Sequence, residues 1–295
     1  MKIGVQFPEI EYEASWPQLR ELARVVEEVG LDSIWLGDHL LYDQPDGRKG
    51  PWECWSMLAA LAAVTDRVQL GPFVAALPFH NPAILAKKAA TVDEISGGRL
   101  VLGVGAGWNR FEFDAFGLPY QRRVDRFAEA FTIIRTLLTD GAIDFTGEFY
   151  TLRECELRPR PTRAGGPPLM VGSVGPRMLA LTLPHVQSWN GWYEDYDNDP
   201  HKLNPLLSMI DRAGEEAGRS PAEIEKTVAV YIGFPDAPGR RTGGNAWTGS
   251  AEEIARRLGE VEATGVAHVQ AVLDPIVPAT VEKLGAIAAL HKAPR

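Results

Sequence analysis

The sequence predicts an α/β protein folded as a (β/α)8 TIM barrel, and three observations carry that prediction. Short β-type runs alternate with amphipathic helical stretches along the whole chain, the pattern of a parallel sheet with helices packed outside it. Eight strand–helix pairs can be read in order, which is the barrel count. At 295 residues, 45% of them hydrophobic, the chain can bury the core of one such barrel. Residues 1–295 are therefore read as a single domain.

The first pair shows the logic. Lys2 to Phe7 alternates polar and apolar residues, as a strand does. Ser15 followed by Gln18 reads as a capping box, and Leu19, Leu22, Ala23 and Val26 form one apolar stripe on a helix that stops at Gly30. Further strands are expected at Ser33–Asp38, Val68–Ala75, Arg99–Gly105, Pro168–Gly172, Val186–Asn190, Thr227–Gly233 and Ala267–Leu273. Helices fill Trp55–Val64, Pro82–Ile95, Val124–Thr139, Pro176–Leu183, Leu203–Ala217, Ala251–Ala263 and Ala279–Leu290, each bounded by Gly, Pro or a capping residue. The interval of about 107–167 is too long for one βα unit. It is read as an insertion at the C-terminal rim containing a helix and a β-hairpin at Ile143–Tyr150, centred on Thr146-Gly147. The irregular stretches Gly191–Pro200 and Asp236–Gly249 are expected to form flexible lids over that rim.

Charge narrows the partners. Thirty Lys and Arg against 39 Asp and Glu give a net charge of −9, which repels nucleic acid and anionic membrane surfaces. Cys54 and Cys155 give neither a disulfide framework nor zinc-ligand spacing, so no metal is expected and a reducing cytoplasm fits best. The longest purely apolar run, Met57 to Val64, is far short of the roughly 18 residues of a membrane span, and no signal peptide or anchor is read.

Barrel chemistry sits at the C-terminal strand ends, where the loops converge. Asp38-His39 is the sharpest feature there, because an imidazole works as acid or base near neutrality and a neighbouring carboxylate can orient it. Adjacent strand residues face opposite ways, so direct contact would need the strand to end between them; otherwise Asp38 caps a loop and His39 packs as a satisfied polar residue. Gly172-Ser173-Val174-Gly175-Pro176-Arg177 joins a strand to a helix with free N–H groups, a turn that suits phosphate as well as a plain βα connection.

Gly103-Val104-Gly105-Ala106-Gly107 looks like a dinucleotide fingerprint, but no helix opens straight after it and the spacing fails. Small residues there are expected to let a planar ring approach the backbone. Trp108 would add an apolar wall, or merely a surface residue of a tight turn, and Asn109 a hydrogen-bonding group. Trp189 and Trp192 on the rim join Trp108 as substrate-pocket candidates. Glu53, before a helix, is either a second acid or a charge that complements the helix dipole.

Taken together, KIGVQFP, WLGDHL, LAALAAVTDRVQLG, NPAILAKKAATVDEISGGRLVLGVGAGWN, FGLPY, FTGEFYTL, PPLMVGS and TGSAEEIARRL resemble the bacterial luciferase-like flavin and deazaflavin oxidoreductases over nearly the whole chain. The GDH and GVGAGWN segments are most similar to the branch using coenzyme F420, a deazaflavin that carries hydride at C5. The resemblance implies a hydride-transferring oxidoreductase acting on a small organic substrate. Asp38 and His39 would lie beside the ring, with His39 as proton donor or acceptor. Phe73-Val74 matches a non-prolyl cis peptide behind the ring, Gly105, Ala106 and Asn109 fall near cofactor contacts, and Gly172, Ser173, Val174, Gly175 and Arg177 match the phosphate-holding stretch. One departure stands out: sugar-phosphate dehydrogenases of the branch carry Glu where this chain has Trp108, which argues against that substrate. The resemblance also admits an FMN-dependent monooxygenase fed by a separate reductase, or a barrel that has lost activity and serves as a binding or structural subunit. Family members are often homodimers.

Overall fold

The computed structural model describes residues 1–237 and 245–293. In chain order the elements are β1 (Lys2–Gln6), α1 (Trp16–Glu28), β2 (Ser33–Leu36), β3 (Tyr42–Gln44), β4 (Gly47–Lys49), α2 (Cys54–Val64), β5 (Gln69–Pro72), β6 (Ala75–Ala76) and α3 (Pro82–Ile95). There follow β7 (Leu102–Gly105), α4 (Arg110–Ala115), α5 (Arg123–Thr139), β8 (Ala142–Thr146), β9 (Thr151–Glu156), β10 (Leu169–Gly172), α6 (Pro176–Thr182), β11 (Ser188–Gly191), α7 (Leu203–Glu216), β12 (Glu225–Gly233), α8 (Ala251–Ala263), β13 (His268–Asp274) and α9 (Pro278–Lys292).

The main sheet runs β5-β2-β1-β13-β12-β11-β10-β7-β6, with every pairing parallel. Its two end strands, β5 and β6, are halves of one stave interrupted at Phe73-Val74, whose peptide bond is cis. Val101 N donates to Leu70 O at 2.8 Å and Leu70 N to Arg99 O at 3.1 Å, so the ring closes as an eight-stave barrel. The predicted strand Val68–Ala75 is thus broken where the chain bulges toward the bore.

Two apolar clusters follow from the period-2 alternation of the staves. The large one lies between barrel and helices and takes Ile3 and Val5 from β1 with Leu22 and Val26 from α1. The small one, Trp35, Val101 and Met170 with Phe73 and Val74 packed against it, is separate. Beside it runs a polar network. Ser33 Oγ bonds both Trp35 Nε1 (2.7 Å) and His268 Nε2 (2.8 Å), and Asn190 Nδ2 donates to Thr227 Oγ1 (2.8 Å) and Gln270 Oε1 (2.9 Å). Burial pushes His268 down to about 3, so this imidazole is neutral.

The first helix forms as its pattern predicts: Gln18 Oε1 accepts from Ser15 N at 2.8 Å, and Gly30 follows with φ 76°. The insertion proves to be two pieces flanking α5, the short helix α4 and the β8–β9 hairpin. The hairpin turns at Gly147–Tyr150, later than the predicted centre, because Glu129 of α5 accepts from the N–H groups of Glu148, Phe149 and Tyr150. A helix does open soon after the glycine run, at Arg110. The Gly191–Pro200 stretch is pinned rather than loose: Tyr196 Oη donates to Ala229 O, and Asn198 exchanges bonds with the Tyr231 backbone. Of the second expected lid, 238–244 lie outside the described residues, whereas Trp247 is fully buried against β12.

Candidate active site

β2 ends at Leu36, and the chain leaves the barrel through Gly37-Asp38-His39. Asp38 and His39 therefore turn to different partners. His39 Nδ1 lies 2.8 Å from Glu112 Oε1. The other carboxylate oxygen of Glu112 accepts from Leu40 N at 2.7 Å and Leu41 N at 3.3 Å. Asn109, the residue before α4, adds a bond from Nδ2 to Leu41 O at 3.2 Å. The short inserted helix thus grips the segment that follows the histidine.

A second acid stands close by. Glu9, in the loop after β1, accepts from Tyr42 Oη at 2.7 Å and from Gln6 Nε2. It lies so near the β2 exit that a Cβ on Gly37 would sit 2.0 Å from its Oε1, so any larger residue there would have to displace the carboxylate. Burial raises the Glu9 carboxyl above its usual range, with the His39 charge and the Tyr42 hydroxyl only partly offsetting it. Burial and the Glu9 charge also push the Tyr42 phenol far up, so it remains a donor. For His39, burial alone would lower the pKa; the Glu112 hydrogen bond and the charges of Glu9, Glu112 and Asp38 outweigh it and hold the imidazole above its ordinary value.

Asp38 serves the bulge. Its Oδ2 accepts from Ala76 N at 2.9 Å and lies 2.7 Å from His80 Nε2, tying the β2 exit to the residues after the cis peptide. Val74 of that bulge lies over the barrel glycines. A Cβ on Gly105 would be 2.7 Å from Val74 Cγ2, and one on Gly172 would be 3.1 Å from Cγ1. Their smallness admits a protein side chain, where a planar ligand ring was expected.

The remaining expected residues divide. Trp108 is 64% exposed and faces His39 edge-on at 5.7 Å between ring centroids, with Tyr42 4.7 Å from the same imidazole. Phe73 contacts Trp35 (5.4 Å) and Trp192 (5.8 Å), which forms a second aromatic group. Trp189 is wholly buried and donates from Nε1 to Ser173 O at 2.7 Å; it braces the Gly172–Arg177 turn and takes no place in a pocket. Glu53 caps α2, accepting from Trp55 N (3.1 Å) and Ser56 N (2.7 Å). Ala106 packs against the barrel–helix core, Gly175 N takes Ser173 Oγ, half-exposed Val174 lies on the turn, and exposed Arg177 pairs with Asp125. Among the described residues no group of His, Cys, Asp and Glu is arranged to hold a metal, and no helix is long and apolar enough to cross a membrane.

Sequence reasoning missed Glu9, Tyr42, His80 and Glu112. Glu9 lies two residues beyond the Lys2–Phe7 strand, where the strand-end rule reaches it; Glu112, 73 residues from His39, carries no local signal. A separate cleft of about 620 Å³ between the β1–α1 and β13–α9 loops holds none of these groups, although Glu11 in its lining accepts from Glu9 N. Its acids are engaged: Glu11 by Glu9 N, Glu21 by Arg24, Asp274 by Tyr231 Oη.

A parallel barrel whose C-terminal mouth holds a part-buried imidazole between carboxylates is the architecture of an acid–base enzyme site. The chain belongs to the luciferase-like monooxygenase family, which it matches over residues 2–236. It is 35% identical over 183 residues to the 5,10-methylenetetrahydromethanopterin reductase of Archaeoglobus fulgidus, covering 61% of this chain and 50% of that one. It is 29% identical over 243 residues to the F420-dependent glucose-6-phosphate dehydrogenase of Amycolatopsis mediterranei, covering 76% and 69%. A solved F420-dependent secondary alcohol dehydrogenase, bound to an F420–acetone adduct, superposes with TM-score 0.83 at 21% identity over 99% of both chains, a likeness of fold.

Proposed function

We propose that the chain is an F420-dependent oxidoreductase acting on a small organic substrate, with His39 Nε2 handling the proton that accompanies hydride transfer. The observation that carries this reading is the division of labour on one ring: Nδ1 is held by Glu112, while Nε2 has no hydrogen-bond partner among the described residues. When bound, the deazaflavin supplies the hydride; the protein supplies position and electrostatics. The residues present suit such a group. The backbone N–H groups of Ser173 and Val174, ahead of α6, have no partner among the described residues and are available to a phosphate, with Arg177 beside them. Val74 and Phe73 offer apolar surface at the bulge, and Asp38 Oδ1 makes no bond to the protein among the described residues.

Glu112 orients His39, Gly37 lets Glu9 approach, and Trp108 with Tyr42 covers the imidazole. Relatives named as F420-dependent enzymes support the cofactor choice. The family description favours a second reading, an FMN-dependent monooxygenase fed by a separate reductase. A homodimer in the cytoplasm completes the proposal. Titrating the purified protein with F420 and with FMN, followed by tryptophan quenching, tests it. F420 binding, with turnover lowered roughly 10²–10⁴-fold and binding retained in His39→Ala, is expected. FMN binding alone selects the monooxygenase, and binding of neither selects an inactive barrel.

A further inference from the structure

We propose that Glu112 is a positioning residue that fixes the tautomer of His39 and favours its charged, proton-donating form, which biases the site toward the reducing direction. The inference rests on the reading of His39 as the proton-transfer group. It starts from a carboxylate that is 1% exposed and fully committed, with Oε1 on Nδ1 and Oε2 on two backbone N–H groups. A carboxylate only accepts, so Nδ1 must carry hydrogen in both charge states of the ring. The neutral ring then presents a bare Nε2, and the charged ring presents Nε2–H.

The surroundings favour the charged ring. Glu112 comes from α4, Glu9 from the β1–α1 loop and Asp38 from the segment of His39 itself, and these are the charges that act on the imidazole. Tyr42 gives its hydroxyl to Glu9, and Asp38 is shared with His80. Trp108 and Tyr42 close over the ring and contribute no charge. Buried acids on several sides stabilise an imidazolium, and the Glu112 hydrogen bond directs its remaining N–H away from the clamp.

The chemistry follows. A polarised C=X bond, where X is oxygen, nitrogen or an activated carbon, takes hydride at carbon from a reduced hydride-donating cofactor. X takes the proton from Nε2, giving H–C–X–H. The ring becomes neutral and recovers its proton from solvent. Oxidation in reverse needs the neutral ring and is favoured only as pH rises above the His39 pKa.

The test uses cofactor-free protein with ¹⁵N-labelled histidine. His39 is assigned by the signal lost in His39→Gln, and both ring nitrogens are followed against pH. The expected result is a midpoint above the ordinary value of about 6.5, with the neutral ring protonated at Nδ1. Glu112→Gln should lower the midpoint by about one to three units, and Glu112→Asp should restore part of the shift. A wild-type midpoint at or below the ordinary value overturns the proposal, as does a neutral ring bare at Nδ1 or a Glu112→Gln titration identical to wild type. The wild-type titration decides even if the variant does not fold. Because no cofactor is present, the result stands apart from the F420 titration, whose failure bears on the cofactor alone.

Discussion

Removing the Asp38 carboxylate tests whether this residue belongs to the bulge or to His39. Asp38→Ala strips the acceptor from His80 Nε2 at 2.7 Å and from Ala76 N at 2.9 Å, both in a region where the aspartate side chain is only 3% exposed. Breaking a buried pair from one side costs about 3–5 kcal/mol, and the orphaned backbone N–H, worth about 1–3 kcal/mol alone, is part of the same loss. At about 2–4 °C per kcal/mol for a chain of this size, Tm should fall by roughly 6–20 °C. Denaturant melts of Asp38→Ala, His80→Ala and the double variant complete a cycle. If the two side chains stabilise each other across the cis bulge, the double variant loses about 1–3 kcal/mol less than the sum of the singles. Additivity within about 0.5 kcal/mol, or a single-variant loss no greater than a surface substitution, would refute the assignment.

Glu53→Ala should cost about 1 kcal/mol in a chemical melt, the worth of an N-cap, and leave turnover unchanged; a collapse of turnover would return Glu53 to the site. Gly105→Ala drives a methyl to 2.7 Å from Val74 Cγ2 and should destabilise by about 1–3 kcal/mol, with Val74→Ala in the same chain relieving most of it; an unrelieved loss points elsewhere. The pH dependence of stability has a defined sign. His39 and Glu9 both hold their protons more tightly folded than unfolded. Their stabilisation is full below the unfolded values, about 6.5 and 4.3, and is lost as pH rises through the elevated folded ones. The Tm difference between wild type and His39→Gln should therefore shrink toward alkaline pH, and a difference that grows would contradict the geometry.

The barrel was legible because its staves and helices bury apolar residues at two different periods, and those periods survive in sequence; α3 and α8 begin and end where the pattern places them. His39 was legible for a related reason, since its position at a strand end is a local property. Its partner was not. Glu112 reaches it from a six-residue helix inserted after β7, a length too short for periodicity to register. Asp38 illustrates the converse: adjacency in sequence suggested a carboxylate for His39, but the strand ends at Leu36 and the next residues diverge, so the carboxylate goes to His80. The glycines also read differently in three dimensions. Composition alone cannot say whether a small residue makes room for a ligand or for another side chain, and here Val74 takes the space.

These displacements share a direction that bears on how the site works. Glu9 reaches the His39 region from the β1–α1 loop and Glu112 from α4, Asp38 lies beside it on its own segment, and each is also bound to backbone or side chains of another element. Among the described residues only Glu112 bonds the imidazole, and because its second oxygen also takes Leu40 N and Leu41 N, the clamp and the histidine segment are tied together. With Glu112 on Nδ1 and Nε2 without a partner among the described residues, the proposed reading leaves substrate preference to the exposed Trp108 and the part-buried Trp192. On that reading the fixed part of the chemistry and the variable part of recognition fall on different sets of residues, which would let one acid–base centre serve different substrates by change at the rim alone.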